Sequence, residues 1–163
     1  MADGKNYVPL PDIEEVLPIL NKISILAGFS DKQLYSVFRF LEKVSYKAGE
    51  IIFEQGQEPS HIYIIETGKI KLFVSKDGTA FELIEFEQGH CFGEASVIGI
   101  QPHAATAVAV EDAELIVLSR TALLSIYKTD LEIFSTLILN IAREVCRRLH
   151  ASSETLLHYD FRK

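Results

Sequence analysis

Long apolar runs and paired cysteines are scarce in this chain of 163 residues. No stretch approaches the roughly 20 uninterrupted apolar residues of a membrane span, and the N-terminal MADGKNYVPLPD has no hydrophobic signal core. We therefore expect no membrane partner and a cytoplasmic location. The two cysteines, Cys91 and Cys146, lack the spacing of a metal site, which predicts buried free thiols in a reducing compartment.

Positive charge is also limited, because 16 Lys and Arg stand against 23 Asp and Glu and give a net charge of −7. Such a balance repels a polyphosphate backbone unless a basic patch is concentrated locally, and the densest basic run, residues 143–148, is short. We expect no nucleic-acid binding by this chain alone. The sequence has no nucleophile–base pair at recognisable spacing, no Walker loop and no cluster of metal ligands, so it predicts no enzyme, metal or cofactor.

Two helices are predicted near the N-terminus of what the length indicates is one domain. Residues 13–29 predict a short helix and a turn. Ser30 and Gln33 have the spacing of a capping box, which predicts the start of a second helix. The second helix has one apolar face, formed by Leu34, Val37, Phe38 and Leu41.

Short strand-like runs follow from Val44, each ended by a glycine turn. Asp77-Gly78 between two of them is a strong hairpin signal, because both central positions of a tight turn favour positive φ. Many short strands at regular spacing predict a mainly β antiparallel sandwich or roll. The runs are VSYKAGE, IIFEQGQ, HIYIIETGK, IKLFVSKDG, FELIEFEQG and TAVAVEDAELIVL.

A long C-terminal helix is predicted from a cap at Asp130. Its apolar seam is long enough to predict a partner helix, although a helix lying wholly on its own domain is the alternative. The seam turns polar at Arg148, Ser152 and Ser153, where small hydroxyls either tune helix pairing or bind a polar ligand. The seam consists of Leu131, Phe134, Ile138, Ile141, Val145 and Leu149, and Leu156 and Leu157 restore it.

The stretch FGEASVIGIQPHAAT, residues 92–106, has the chemistry of an anion pocket. A short helix from Gly93 would present unpaired amides to an anion, and Gly93 would let the backbone approach closely. The Glu94 carboxylate is suited to accept hydrogen bonds from sugar hydroxyls. The only basic side chain in the stretch is His103.

These elements together resemble the cyclic nucleotide-binding domain superfamily of the catabolite activator and the cAMP-dependent kinase regulatory subunit, over residues 13–160. YKAGEIIFEQGQEPSHIYIIETGKIKLF resembles the leading strands of that family, and residues 92–106 resemble its phosphate-binding cassette. We call residues 92–106 the cassette. The resemblance implies an antiparallel β-roll (a double-stranded β-helix or jelly roll) with N-terminal helices and a long C-terminal helix. Residues 1–129 would form the helices and roll, and residues 130–160 a helix of the same domain that mediates dimerisation.

The resemblance also implies a ligand, cAMP or cGMP, and a set of ligand-binding residues. Gly93 and the amides of Glu94 and Ala95 would lie against the cyclic phosphate, Glu94 would accept from the ribose 2′-hydroxyl, and Ser152 and Ser153 would meet the purine. Ala104 lacks the hydroxyl typical of cGMP-preferring relatives, which favours cAMP. The expected ligand-binding residues are Phe92, Gly93, Glu94, Ala95, His103, Ala104, Ala105, Ser152 and Ser153.

His103 departs from the family, which has an arginine at this place in the cassette. A histidine in contact with phosphate would have a raised pKa and bind more tightly as the pH falls. The alternative is an exposed turn residue in a degenerate pocket. Weak cyclic nucleotide binding is therefore predicted.

The expected function is a regulatory sensor that transmits ligand occupancy through its C-terminal helix to an unidentified target, as a stand-alone domain without a helix-turn-helix. Two alternatives remain: a degenerate roll acting as a dimeric protein-interaction module, and a fragment of a Crp/Fnr-type transcription regulator.

Overall fold

The computed structural model describes residues 4–160, with side chains described for residues 4–156. Within this range the chain forms nine strands and five α-helices. The strands are β1 (Val8–Pro9), β2 (Leu41–Tyr46), β3 (Ile51–Phe53), β4 (His61–Thr67), β5 (Ile70–Lys76), β6 (Thr79–Phe86), β7 (Cys91–Phe92), β8 (Thr106–Ala109) and β9 (Ala113–Ser119). The helices are α1 (Ile13–Leu20), α2 (Asp31–Phe38), α3 (Glu94–Gly99), α4 (Arg120–Thr129) and α5 (Leu131–Asp160), and a short 3₁₀ turn spans Ser24–Leu26.

The strands form two antiparallel sheets that face each other as the predicted β-roll. The first has the order β1-β2-β9-β4-β7 and the second β3-β8-β5-β6. The hairpin between β5 and β6 turns at Asp77 and Gly78, with φ of 52° and 77°, as the Asp-Gly pair predicts. The expected fold class is confirmed.

The central strands β4 and β9 are buried on both faces, because helices cover one face and the second sheet covers the other. Along β4, Ile62 and Ile64 join a core beneath the helices, whereas Tyr63 and Ile65 point into the roll. This alternation follows from the two-residue period of a strand. It explains why β4 reads as a continuous apolar run.

Side-chain caps mark the starts of three helices, two of which the sequence predicted. Ser30 and Gln33 form the predicted capping box of α2, and the Asp130 carboxylate accepts from the amide of Ile133 at the start of α5, at 3.0 Å. Ser119 caps the additional helix α4 by accepting from the amide of Ala122. The extended backbone of Asp130 separates α4 from α5.

Helix α5 packs on its own domain through Ile133, Leu137 and Ile141, each at most 2% exposed. Asn140 on the same face donates to the carbonyls of Ile25 and Ala27, at 3.1 and 2.8 Å. Of the predicted seam, Ile141 is buried, whereas Leu131 and Leu149 are 60% and 66% exposed. The seam therefore divides between the domain core and an outward face. The side chain of Leu157 lies outside the described residues.

Both cysteines are free, but only Cys91 is buried. Burial raises the pKa of its thiol to about 12. Cys146 is exposed on α5, so the expectation that both thiols are buried is wrong for this residue.

Candidate functional site

An open cavity of about 140 Å³ lies between the second sheet, the cassette and α5. The cassette forms most of the wall, and Arg148 of α5 closes one side. The lining residues are Phe53, Leu72, Phe92, Gly93, Glu94, Ala95, Ser96, His103, Ala104, Ala105 and Arg148.

Gly93 opens the cassette in a conformation that requires glycine. Its φ is +80°, and a Cβ at this position would lie 3.1 Å from the carbonyl oxygen of His61 and 3.2 Å from Cδ2 of Tyr63. The backbone therefore turns tightly against β4 and starts α3 directly. This turn directs the side chain of the next residue, Glu94, into the protein.

Glu94 is a buried carboxylate with one oxygen unpaired. Its side chain is 2% exposed, and Oε1 accepts from Nη1 of Arg148 at 2.6 Å. Among the described residues Oε2 has no hydrogen-bond partner. Burial raises the pKa of Glu94, while the charge of Arg148 opposes that shift. A buried acceptor of this kind favours a ligand that can donate a hydrogen bond.

Arg148 is a site residue that the sequence patterns did not assign. Its guanidinium also donates to the carbonyl of Cys91, lies 3.4 Å from Glu144 Oε1, and stacks on the ring of Phe86 with 4.6 Å to the ring centre. The signal for this role in the sequence is that the predicted apolar seam turns polar at Arg148. Its role depends on the rotation of α5, which only the packed structure defines.

His103 lines the cavity but is only 4% exposed. Its ring stacks on Phe53 with 3.6 Å between ring centres and 7° between planes. Its amide donates to the carbonyl of Gln57, and its carbonyl accepts from the amide of Gly56. The description of His103 as an exposed turn residue is therefore wrong, because the stack and the paired backbone hold it inside.

Burial lowers the pKa of His103 to about 4. The raised pKa expected for a histidine in contact with a phosphate would require the anion to outweigh this effect of burial. The imidazole is consequently neutral at physiological pH. Ala104 and Ala105, which follow it, bring no polar side-chain atoms to the cavity.

Ser152 and Ser153 are exposed and do not line the cavity. The hydroxyl of Ser153 donates to the carbonyl of Leu149, one turn earlier in the same helix, at 2.9 Å. Arg148 occupies the place on α5 that faces the cassette. Of the nine expected site residues, the seven in the cassette are brought together at the cavity, and the two serines are not.

A family model for the cyclic nucleotide-binding domain matches residues 43–130, which is more than half of the chain. The chain belongs to this family. The resemblance noted from the sequence is confirmed.

Three relatives illustrate how this cyclic nucleotide-binding domain compares with known proteins. The cAMP-dependent protein kinase regulatory subunit of Dictyostelium discoideum is 30% identical over 119 residues, covering 68% of this chain and 36% of that protein. The catabolite activator protein of Thermus thermophilus has a TM-score of 0.74 at 28% identity, covering 85% of this chain and 63% of the other. A cyclic nucleotide-binding domain of Methylobacillus flagellatus has a TM-score of 0.81 at 21% identity, covering 90% of this chain and 83% of the other. The chain thus spans about a third of the kinase subunit.

Within residues 4–156, whose side chains are described, no group of three or more His, Cys, Asp or Glu is placed to hold a metal ion. None of the described helices combines the length and hydropathy needed to span a bilayer.

Proposed function

We propose that this cyclic nucleotide-binding domain is a regulatory sensor whose ligand occupies the cavity and changes the position of α5. The observation that carries the proposal is Glu94, a residue of the cavity wall with one carboxylate oxygen held by Arg148 of α5 and the other buried without a partner among the described residues. A ribose 2′-hydroxyl is a suitable donor for the unpaired oxygen. The ligand and α5 would then share one carboxylate.

Transmission follows from this shared carboxylate. A hydroxyl that donates to Glu94 draws negative charge toward the ligand and changes the strength of the Glu94–Arg148 pair. The ligand therefore stabilises one position of α5 over others, which is a population shift. Because α5 extends 30 residues, a small rotation at Arg148 displaces its far end.

We propose cAMP rather than cGMP as the preferred cyclic nucleotide. Ala104 supplies no hydroxyl for a guanine contact, and it lies on the cavity wall. The Dictyostelium relative is a cAMP-dependent subunit, which supports the same choice. The proposed role is regulatory and not catalytic, and its proposed place is the cytoplasm.

We also propose that α5 pairs with a second copy of the chain. Leu131, Leu149 and Leu156 are exposed, and at 3.6 residues per turn they fall within about 20° of one another around the helix. An apolar stripe of this kind is suited to a partner helix. In this arrangement residues 130–160 serve both the domain core and the dimer.

Calorimetric titration with cAMP and cGMP tests the proposal. We expect cAMP to bind more tightly than cGMP, and Glu94→Gln to weaken cAMP binding by about tenfold or more, since a charged acceptor is lost. Glu66→Gln is the matched control, because Glu66 is also buried but pairs with Lys43 away from the cavity. Absence of heat at millimolar concentrations of either nucleotide would contradict the proposal.

A fluorophore on Cys146 tests transmission, since this thiol is exposed on α5 whereas Cys91 is buried with a pKa of about 12. We expect cAMP to change the emission or anisotropy of the label in the wild type and not in Glu94→Gln. An unchanged signal at saturating cAMP would contradict the movement of α5.

Each of two alternative functions has one observation in its favour. The buried, neutral His103 in place of an arginine favours a degenerate roll that acts as a dimeric protein-interaction module. The similarity to the Thermus activator favours a part of a transcription regulator. Dimerisation without any cyclic nucleotide binding would support the first alternative over the proposed sensor.

A further inference from the structure

The charges around the cavity do not include a cation left over for a phosphate. Among the residues that the structure describes, Arg148 is the only lysine or arginine that lines the cavity. Its guanidinium already lies 2.6 Å from Glu94 and 3.4 Å from Glu144. One positive charge is thus shared between two carboxylates.

His103 does not correct this balance. Its ring is held against Phe53 by a close, parallel stack, and its backbone is paired on both sides. Protonation would place a charge in a largely desolvated position, which burial disfavours. The lowered pKa is consistent with a neutral ring.

The remaining polar groups of the cassette are weak phosphate ligands. Helix α3 has only six residues, so few aligned peptide dipoles stand behind its first amides. Ala95, Ala104 and Ala105 contribute no polar side-chain atoms to the wall. In contrast, the buried Oε2 of Glu94 is a full-strength acceptor for a sugar hydroxyl.

We infer that this cavity recognises its ligand through the ribose and gains little from the phosphate charge, so that the neutral ribonucleoside adenosine binds there about as tightly as cAMP. The inference rests on the proposed function, because it concerns the same cavity and the same contact with Glu94. It widens the ligand class from cyclic nucleotides to ribonucleosides that retain the 2′-hydroxyl.

Titration calorimetry of the whole chain with cAMP, adenosine and 2′-deoxyadenosine tests the inference. We expect dissociation constants of cAMP and adenosine within about fivefold of each other and a value for 2′-deoxyadenosine at least about tenfold higher. We also expect adenosine to compete with cAMP, and cAMP affinity to change by less than about twofold between low and moderate salt. Affinity for cAMP at least about thirtyfold above that for adenosine would overturn the inference and leave the proposed function standing. If none of the ligands binds, both are overturned.

A pair of substitutions examines the missing cation directly. His103→Arg restores a charged group, so we expect it to tighten cAMP binding by about tenfold or more and to leave adenosine affinity nearly unchanged. His103→Gln keeps the site neutral, so the ratio of the two affinities should match the wild type. An equal change for both ligands in His103→Arg, or a loss of adenosine binding in His103→Gln, would contradict the charge argument. The wild-type comparison of ligands stands even if a variant fails to fold.

Discussion

Nη1 of Arg148 lies 2.6 Å from Oε1 of Glu94, so residues 54 positions apart in the chain join α5 to the cassette. Glu94 is 2% and Arg148 23% exposed at the side chain, which removes most of the water that would screen the pair. Each partner is positioned by a different part of the fold: Glu94 by the turn at Gly93, and Arg148 by the packing of α5. The ion pair can therefore form only when the cassette and α5 are both correctly placed.

Removing the arginine of this pair should destabilise the fold. We expect Arg148→Ala to lower the free energy of unfolding by about 3 kcal/mol, because it leaves the buried carboxylate without its partner. Arg147→Ala is the control, since Arg147 is 62% exposed and its surface ion pair should contribute less than about 1 kcal/mol. Urea unfolding followed by circular dichroism measures both. Equal losses for the two variants would contradict the importance of the buried pair.

The charge of Glu94 should make the stability of the wild type fall with rising pH in a defined window. Burial raises the pKa of Glu94 above its ordinary value of 4.5. Above 4.5 the unfolded chain releases this proton while the folded chain retains it, so the folded state binds more protons and stability decreases as pH rises. Subtracting the unfolding free energy of Glu94→Gln from that of the wild type isolates this contribution. A difference that is constant or increases from pH 4.5 to 7.5 would contradict the assignment.

His103 should produce a pH dependence of the opposite sign. Its pKa is lowered from 6.5 to about 4 by burial, so below 6.5 the unfolded chain takes up a proton that the folded chain does not. Stability is therefore lost as the pH falls from 6.5 to about 4 and not further below. His103→Phe retains an aromatic ring against Phe53 and should flatten this part of the profile. Identical profiles for the wild type and His103→Phe would contradict the lowered pKa.

Gly93 and Gly78 provide a matched test of the close approach at the cassette. Both have positive φ, at 80° and 77°. A Cβ added at Gly93 would contact β4, whereas a Cβ added at Gly78 would have no atom within 4 Å. We expect Gly78→Ala to cost about 1 kcal/mol of stability from backbone strain alone, and Gly93→Ala to cost about 2 kcal/mol or more and to abolish ligand binding. Thermal unfolding and calorimetric titration measure the two effects. A Gly93→Ala variant that binds cAMP normally would contradict this account of the cassette.

The features that the sequence patterns predicted correctly are local ones. The capping box at Ser30, the Asp77-Gly78 hairpin and the cap at Asp130 each depend on a few neighbouring residues, so they can be recognised without the rest of the fold. The short helix that begins after Gly93 belongs to the same class. Helix α4 was not predicted, although Ser119 caps its start.

The features that were missed depend on distant packing. His103 is buried because Phe53, 50 positions away, lies in a parallel stack against it. Arg148 faces the cassette because Ile133, Leu137 and Ile141 fix the rotation of α5. A seam read along the helix identifies apolar positions but does not say which of them the domain itself covers. This is why Leu131 and Ile141 stood in one predicted seam and lie on different faces in the fold.

The exposed leucines of α5 lead to a prediction about assembly. If Leu131, Leu149 and Leu156 meet a second copy, a charge among them should separate the copies, because an unpaired carboxylate would be buried in the interface. We expect Leu149→Glu to convert a dimer to a monomer at micromolar concentration while the domain stays folded. Leu124→Glu is the control, since Leu124 is 51% exposed on α4 and carries the same change away from the stripe. Sedimentation at several concentrations distinguishes the states; a wild type that is monomeric throughout the micromolar range, or a Leu149→Glu variant that remains dimeric, would show that this face of α5 does not pair.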